Sequence, residues 1–575
     1  MTEQRELAAR SGNGEAPLVN PGDRLPLLVR SLQRSPGPGP LRRMSLLDLA
    51  ALLALVTVVA LLWARALPTW YWLDEGISVG IASHPLGDIP TLLRQDGAPP
   101  LYYLLLHVWM SVFGSSEVST HGFSLLFGVA AVPAALWAGW SIFGRRTGWI
   151  CAVLVAISPY LAFYSTETRM YSLVVLLALL VMATFVHAFV FGRRKYLPAF
   201  VVLLALLMYA HNWGLLVATG TALALGPCLA LRPDRRRLVI DAALAFGAVG
   251  LLYLPWLPTL IYQRGQNLQP WADKPVLFEI RVDVSELVGG KEAVVALGLG
   301  MAAGLIVMLR RPWGRNALAV MVIAIVPFVV LVGGWRTGVV AYRYLAAVVA
   351  PLLLLLGAGL ARGGRAAVAA LGVAIFLTLP IGTKGPPYTK SNARAVAQEA
   401  GPQLRADDLV ISPDFEMVPM FAYYLPSGLR YATSSGPVPD EDIVDWRGSL
   451  ARLVNVEPSR TVPPLVSSLG PGAHLLLVCP PGTAPTESSG GLRQGAPQQL
   501  DAKTAPQEDN QPDLTTVTQT VPPQPRGLFH AWIRLRCKQL SGMLLSDPAL
   551  RLDRTLTPPG EVRNTSVEAY LFTKA

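Results

Sequence analysis

The sequence is poor in charged residues and in cysteine. Charged side chains make up 15% of the 575 residues, whereas hydrophobic ones make up 52%, and long apolar runs recur. This composition argues against a soluble globular chain and indicates a multi-pass membrane protein. No basic stripe interleaved with aromatic residues occurs, so a nucleic acid partner is not expected. The C-terminal part contains no nucleophile elbow, phosphate-binding loop or dinucleotide fingerprint.

The chain has only four cysteines, and their spacing is not that of a metal site. Cys151 and Cys228 fall in apolar runs. Cys479 and Cys537 fall in the C-terminal part and could pair there if it lies outside the cytoplasm. Two unpaired buried thiols are an interpretation at least as good.

Composition divides the chain into three predicted domains. Residues 1–44 are polar and rich in Arg, Gly and Pro, which predicts a disordered cytoplasmic tail. Residues 45–382 form the apolar transmembrane part. Residues 383–575 contain one helix-like stretch, "SNARAVAQEAGPQL", and the strand-like stretches "DLVISP", "HLLLVCPP" and "VEAYLFTKA". They predict an extracytoplasmic α/β domain, with a disordered Pro- and Gln-rich insert at about 482–525.

Eleven apolar runs are candidates for membrane crossings, for which about 20 residues are needed. The runs are Ser45–Leu67, Gly122–Phe143, Trp149–Phe163, Tyr171–Phe191, Leu197–Tyr209, Trp213–Leu231, Leu238–Leu257, Ala293–Leu309, Ala317–Val332, Tyr344–Leu360 and Ala366–Ile381. A twelfth stretch, Pro100–Phe113, is too short to span and predicts a re-entrant or interfacial helix. The expected fold is therefore an all-α polytopic membrane bundle of about eleven spans plus this helix, followed by the α/β domain.

Arginine-rich turns decide how the chain is threaded. If Pro100–Phe113 does not cross, the turns "GRRTG", "GRRKY", "RPDRRR", "RRPWGR" and "ARGGR" all lie on one side of the membrane. Positively charged short loops face the cytoplasm. We therefore predict a plasma-membrane protein with a cytoplasmic N-terminus and an extracytoplasmic C-terminal domain.

This threading gathers ionisable and polar residues from distant loops at the outer face. They are Asp74, Glu75, Asp96, Glu167, Arg169, Tyr171, His211, Asn212, Arg336, Arg343 and Tyr344. Ionisable groups at a membrane surface are costly unless they are paired or bind a charged ligand. The arrangement therefore predicts a binding or catalytic site.

Each candidate also has a simpler interpretation. Asp74 could be a general base or a helix cap. Arg169 and Arg343 could hold a phosphate, or form ion pairs and reach towards the interface. His211 could contact a ligand or be structural. The aromatic side chains, including Tyr102 and Tyr103, could stack on a sugar or belong to the interfacial aromatic belt.

The order of four motifs resembles that of the bacterial GT-C glycosyltransferases, which include protein O-mannosyltransferase-like and aminoarabinose-transferase-like enzymes. The motifs are "YWLDEG", "DGAPPLYYLLLHVWMSVFG", "FGRRTGWICAVLVAISPYLAFYSTETRMYSL" and "AYRYLAAVVAPLLL". They cover roughly Ser45 to Ile381 and indicate the superfamily without identifying a member.

The resemblance implies an enzyme that moves a sugar from a polyprenyl-phosphate donor in the membrane lipid to a hydroxyl acceptor at the outer face. It implies Asp74 as the catalytic base, with Glu75 beside it. This sequence departs from the pattern at "VSTHGFSLL", because relatives commonly carry an arginine near His121 or Gly122. The sugar could be mannose or arabinose, and the acceptor a glycan, a lipid or a protein.

The same resemblance implies an acid–arginine pair at Glu167 and Arg169, and a phosphate-holding pair at Arg343 and Tyr344. No cofactor is certain. A divalent cation bound by Asp74, Glu75 and Glu167 is possible, although the sequence has no dedicated metal cage. The alternatives are a membrane transporter or lipid flippase, and a membrane scaffold without catalytic activity.

Overall fold

The computed structural model describes residues 44–266, 290–309, 315–337, 341–383, 389–482, 528–557 and 562–575. The predicted disordered tail and the predicted insert at about 482–525 lie almost entirely outside the described residues, so both stay predictions.

Seventeen helices make up the described part of the apolar region. They are α1 Leu46–Ala64, α2 Leu73–Ser83, α3 Ile89–Asp96, α4 Leu101–Phe113, α5 Glu117–Phe143, α6 Arg145–Ala156, α7 Pro159–Tyr164, α8 Tyr171–Phe185, α9 Leu197–Ala210, α10 Gly214–Leu223, α11 Leu225–Leu231, α12 Arg235–Tyr253, α13 Leu257–Arg264, α14 Lys291–Leu309, α15 Arg315–Thr337, α16 Ala346–Leu360 and α17 Gly364–Thr383. Short helical segments adjoin them at Val186–Val190, Arg194–Tyr196, Leu254–Trp256 and Tyr342–Leu345.

Seven helical segments of the described chain are long and apolar enough to cross a membrane. They are Leu46–Ala64, Glu117–Phe143, Tyr171–Val190, Gly214–Leu231, Arg235–Arg264, Asn316–Thr337 and Tyr342–Leu360. The chain is therefore a multi-pass membrane protein, and the predicted helical bundle is confirmed. Some of the eleven predicted crossings fall on shorter helices: α9, for example, has 14 residues, whereas a crossing needs about 20. The number of eleven therefore stays a prediction.

One predicted span is divided between two helices, and its crossing of the membrane stays a prediction. The run Trp149–Phe163 divides at Ile157 and Ser158, where Ser158 caps the short helix α7 and Pro159 is its first residue. Proline has no N–H to continue the preceding helix, which explains the break. Helix α4 has 13 residues, about 20 Å at 1.5 Å per residue. That length falls short of a hydrocarbon core of about 30 Å, as the re-entrant prediction requires.

Two of the arginine-rich turns, "GRRKY" and "RPDRRR", lie together at one end of the bundle. Helix α5 has 27 residues and leads from the outer loops to Arg145. The turn before α9 contacts the one before α12, since Arg194 Nη2 lies 2.7 Å from Asp241 Oδ1. A hydrogen bond from Arg232 to the Phe189 carbonyl joins the same turns.

A small mixed sheet with helices on both faces forms the C-terminal part. Its elements are β1 Thr389–Ser391, α18 Ala393–Ala400, β2 Leu409–Ile411, α19 Met417–Tyr424, β3 Arg430–Thr433, β4 Gly436–Pro437, α20 Ser449–Asn455, α21 Pro458–Ser467, β5 His474–Cys479, α22 Leu528–Ser546, β6 Leu550–Leu556, β7 Val562–Thr565 and β8 Glu568–Lys574, with a short helical turn at Gly401–Gln403. The predicted helix and all three predicted strands are confirmed, as α18, β2, β5 and β8.

The larger sheet has the strand order β4-β3-β2-β5-β8-β6, and β1 pairs with β7 separately. Strand β2 is parallel to β3 and β5, whereas β8 is antiparallel to both of its neighbours. Alternate residues face opposite layers: Val410 packs into the core with α18 and α19, and Leu409 into the core with α21 and α22. A disulfide between Cys479 and Cys537 joins β5 to α22, so these two cysteines pair.

Two glycines let the C-terminal part approach helix α2 closely. A Cβ atom on Gly76 would lie 2.9 Å from Met420 Cα, and one on Gly80 would overlap the carbonyl oxygen of Asp442. The residues are four apart and therefore share one face of the helix. Helix α2 is thus packed directly against the C-terminal part, and α2 carries Asp74 and Glu75.

Candidate active site

Asp74, Arg169 and Arg343 come together at the end of the bundle opposite Arg145. Asp74 is the second residue of α2, and its Oδ2 atom lies 3.7 Å from Arg169 Nε and 3.5 Å from Arg343 Nη1. These are ion pairs at distances longer than a hydrogen bond. Arg169 Nη1 also donates to Ser78 Oγ at 3.0 Å. The predicted convergence of these three side chains is therefore present.

Glu75 lies in a separate, fully buried cluster. Its Oε1 atom lies 2.7 Å from His121 Nε2 and 2.8 Å from Lys390 Nζ, and it accepts a hydrogen bond of 2.8 Å from the Thr168 N–H. Burial raises the pKa of Glu75, but Lys390 and His121 outweigh it and lower that pKa to about 2. Glu75 is therefore an ionised carboxylate whose Oε1 atom is fully occupied.

Asp96 and two tyrosines connect the next loop to the Arg169 side chain. Burial raises the pKa of Asp96 to about 6, despite the attraction of Arg169. Tyr103 hydrogen-bonds to Asp96, and Arg169 Nη1 lies 3.4 Å from its hydroxyl. The neighbouring Tyr102 is bonded to Ser124 at 2.7 Å. Both tyrosines are fully buried, and their hydroxyl groups contact residues of the site. Their role in stacking on a sugar stays a prediction.

Glu167 is the least satisfied acid of the site. It is fully buried, and neither carboxylate oxygen has a hydrogen-bond partner among the described residues. Burial raises its pKa to about 8, although Lys390 partly opposes the shift. Burial therefore favours the protonated form of Glu167.

The remaining predicted residues form an aromatic wall beside Arg343. The His211 ring lies 5.0 Å from the Tyr344 ring and 6.0 Å from the Tyr171 ring, measured between centroids. His211 Nδ1 accepts a hydrogen bond from the Trp213 N–H at 3.1 Å, which fits the structural interpretation of this histidine. The Arg169 guanidinium lies 5.8 Å from the Tyr171 ring centroid.

Two predicted outer-face residues lie outside these contacts. Asn212 donates to the Gly97 carbonyl at 2.9 Å and thereby fixes the loop after Asp96. Arg336 is exposed in the last turn of α15.

Four further residues near the site were not predicted as site residues from the sequence. His121 and Lys390 hold Glu75, and Lys390 also donates to the Thr166 carbonyl at 2.8 Å. Asp414 and Glu416 follow strand β2; burial raises the pKa of Asp414 to about 6 and that of Glu416 well above its ordinary value. Nearby Asp414, Asp74 and Asp96 raise the Glu416 pKa further, so this C-terminal acid lies close to the Asp74 cluster.

Polar contacts join the C-terminal part to the outer loops on several sides. Tyr424 hydroxyl donates to Glu117 at 2.7 Å, and Arg394 forms an ion pair with the same carboxylate at 2.9 Å. On the other side, the Trp446 N–H donates to the Gln95 carbonyl at 3.1 Å. The C-terminal part therefore covers the site and contributes to its walls.

The predicted metal ligands do not fit a cation here. The Glu75 Oε1 atom already binds Lys390, and a cation would have to displace that ammonium group. Within the described ranges, no group of three or more His, Cys, Asp or Glu side chains is arranged to hold a metal ion. We therefore assign no step to a metal.

The helical membrane bundle with its C-terminal α/β part is a fold shared with solved membrane glycosyltransferase structures, as the resemblance predicted. No protein-family model matches the chain, and no curated protein matches it.

Among solved structures, the chain is similar to ArnT from Cupriavidus metallidurans in the apo state, with a TM-score of 0.54 and 15% identity over 76% of this chain and 93% of that one. The same protein bound to undecaprenyl phosphate gives a TM-score of 0.53 at 15% identity, over 76% of this chain and 94% of that one. The arabinofuranosyltransferase AftD from Mycobacteria gives 0.50 at 14% identity, over 92% of this chain and 40% of that one.

Proposed function

We propose that this protein is a glycosyltransferase that moves a sugar from a polyprenyl-phosphate donor to a hydroxyl acceptor at the outer face of the plasma membrane. The observation that carries the proposal is the meeting of Asp74 with Arg169 and Arg343, which come from three distant parts of the chain. The likeness to ArnT, which was solved with undecaprenyl phosphate, supports a lipid phosphate as the donor group.

The two arginines are suited to hold the donor phosphate. Guanidinium groups bind phosphate oxygens through paired N–H donors. Both guanidinium groups lie 3.5 to 3.7 Å from the Asp74 carboxylate, so they are close to the base at which the acceptor hydroxyl would react. As the bond between the sugar and the phosphate breaks, negative charge grows on the phosphate, and fixed cations in a partly buried site stabilise that charge.

Asp74 is suited to act as the base. Its side chain is 16% exposed, and its nearest cations lie beyond hydrogen-bond distance. Asp74 takes the hydroxyl proton while the oxygen attacks the anomeric carbon and the lipid phosphate leaves. One direct displacement inverts the configuration at that carbon. Glu75, by contrast, is assigned to holding α2 in place, because its charge is taken up by Lys390 and His121.

The proposed orientation places the N-terminus in the cytoplasm and the C-terminal part outside. The shared position of two arginine-rich turns supports it. The disulfide between Cys479 and Cys537 supports it independently, because disulfides persist mainly outside the cytoplasm. Labelling of single cysteines placed in "GRRKY" and in the C-terminal part tests it, and labelling of both from one side would contradict it.

The experiment for the activity uses the purified protein in lipid vesicles. We expect transfer of mannose or arabinose from a synthetic polyprenyl-phosphate sugar to a hydroxyl acceptor, detected by mass spectrometry. Movement of the lipid across the bilayer without sugar transfer would instead show a flippase.

Donor binding provides a second measurement. In the Arg343→Ala variant, we expect the affinity for the donor to fall about tenfold or more, since a charge-assisted hydrogen bond contributes about 1.5–3 kcal/mol. Arg336→Ala is the matched control, because Arg336 is exposed at the end of α15. Equal donor affinity in all three proteins would contradict the assignment of the phosphate site.

A further inference from the structure

A groove opens at the end of the bundle opposite the candidate active site. Its volume is about 580 Å³, and its walls come from α6, α16 and α17. The lining combines two arginines, one tryptophan and aliphatic side chains, among them Arg145, Arg146, Trp149, Leu360, Val368 and Leu371. The groove shares no residue with the Asp74 or Glu75 cluster, so the proposed reaction does not explain it.

One side of the groove is cationic. Asp48 is paired with Arg145, which donates to its Oδ1 from Nε at 3.0 Å and from Nη2 at 2.6 Å, and Trp149 Nε1 donates to the same oxygen at 3.1 Å. Arg146 is exposed, and no carboxylate of the described residues pairs with it. Since Asp48 neutralises Arg145, the groove has a net charge of about +1, from Arg146.

The start of helix α6 adds to this charge. Residue Gly144 precedes the helix and has no side chain to cap it. The first amide groups of a helix lack partners within the helix and carry a partial positive charge. They lie beside Arg145 and Arg146, the first two residues of α6, so the helix dipole and the guanidinium groups favour an anion at the same place.

The other side of the groove is apolar and open to the surroundings. Val368 is 63% exposed, and it lines the groove with Leu360 and Leu371. In a multi-pass protein this surface lies against acyl chains. Trp149 also lines the groove, and tryptophan is enriched where headgroups meet hydrocarbon.

We propose that the groove binds an anionic glycerophospholipid of the leaflet opposite the active site. The lipid phosphate lies against Arg146 and the start of α6, and an acyl chain follows the exposed side of α17. Basic pockets between membrane helices bind anionic headgroups in this way. A neutral or zwitterionic lipid would match only the apolar side of the groove, and an inorganic anion would match only its cationic side. An anionic lipid matches both sides.

The experiment measures lipid retention by the full-length protein in detergent, using native mass spectrometry. The probes are phosphatidylglycerol and phosphatidylcholine with identical acyl chains. We expect the wild type to retain more phosphatidylglycerol, and the Arg146→Gln variant to retain it about fivefold less tightly, since one such arginine contributes about 1 kcal/mol. Lys195→Gln is the matched control: it removes an exposed cation from the same end of the bundle but outside the groove.

A second variant tests the apolar side. Val368→Trp fills the groove from the lipid-facing side, so we expect it to lower the retention of phosphatidylglycerol without changing the charge. Equal retention in the wild type and in both groove variants would overturn the proposal. Full displacement of the lipid by inorganic phosphate would also overturn it, because the site would then bind an anion only. None of these readouts depends on sugar transfer.

Discussion

Asp74 and Glu75 are neighbours on one helix, yet their surroundings differ completely. Successive helical residues point about 100° apart, so Asp74 faces Arg169 and Arg343, whereas Glu75 faces the junction with the C-terminal part. Glu75 is fully buried and contacts His121 and Lys390 at 2.7 and 2.8 Å. Asp74 keeps some exposure, and its cations lie at 3.5 Å or more. A carboxylate that fixes structure is saturated with partners, whereas one that reacts needs room for a substrate.

Asp74→Asn should give the largest effect on activity. It removes the base while preserving the shape of the side chain, so we expect the rate of sugar transfer to fall about 10²–10⁴-fold, with little change in the temperature of unfolding. The measurement is transfer from the polyprenyl-phosphate donor in vesicles. Asp88→Asn, which removes an exposed carboxylate from the same outer loop, should keep full activity. Unchanged turnover in Asp74→Asn would remove the base assignment.

Glu75→Gln should act on stability. It leaves Lys390 and His121 buried beside a neutral side chain, and breaking a buried ion pair on one side costs about 3–5 kcal/mol. Thermal unfolding in detergent measures the effect. The double variant Glu75→Gln/Lys390→Met should be more stable than the sum of the two single changes predicts, because it removes both charges. If Glu75→Gln unfolds like the wild type but cannot transfer sugar, then Glu75 has a catalytic role and its assignment as a structural residue is wrong.

The different roles of Asp74 and Glu75 could be predicted from the sequence only in part. Apolar runs and arginine turns predicted the bundle, and the order of the motifs predicted that Asp74, Arg169 and Arg343 would meet. The partners of Glu75 could not be predicted, because Lys390 is 315 positions away and belongs to no motif. His121 marked a departure from the family pattern, and its contact with Glu75 emerges only once α5 packs beside α2. Ion pairs between distant elements depend on the packing, which local patterns do not encode.

Gly80→Ala tests whether the close contact between α2 and the C-terminal part keeps Asp74 in position. The added Cβ atom would overlap the Asp442 carbonyl oxygen, so α2 or the C-terminal part must shift, at a cost of about 1–3 kcal/mol. The shift moves Asp74 as well, and we expect both unfolding temperature and transfer rate to fall. Gly122→Ala is the control, since nothing lies within 4 Å of its added Cβ atom. Equal behaviour of the two variants would show that the close contact with α2 is unimportant.

Glu167 lies near both the Asp74 and the Glu75 clusters, and its ionisation should make the free energy of unfolding depend on pH. This is the smallest effect that we expect. Burial raises its pKa in the folded protein from 4.5 to about 8. Between pH of about 5 and about 8, the unfolded chain has released this proton and the folded protein retains it, so the free energy of unfolding falls as the pH rises. Glu167→Gln removes this proton equilibrium and should flatten the dependence of unfolding temperature on pH across that range. Glu399→Gln is the control, because it removes an exposed carboxylate from α18 and should leave the slope intact. A wild-type slope in Glu167→Gln would mean that Glu167 is ionised in the folded protein, and that Lys390 neutralises both Glu75 and Glu167.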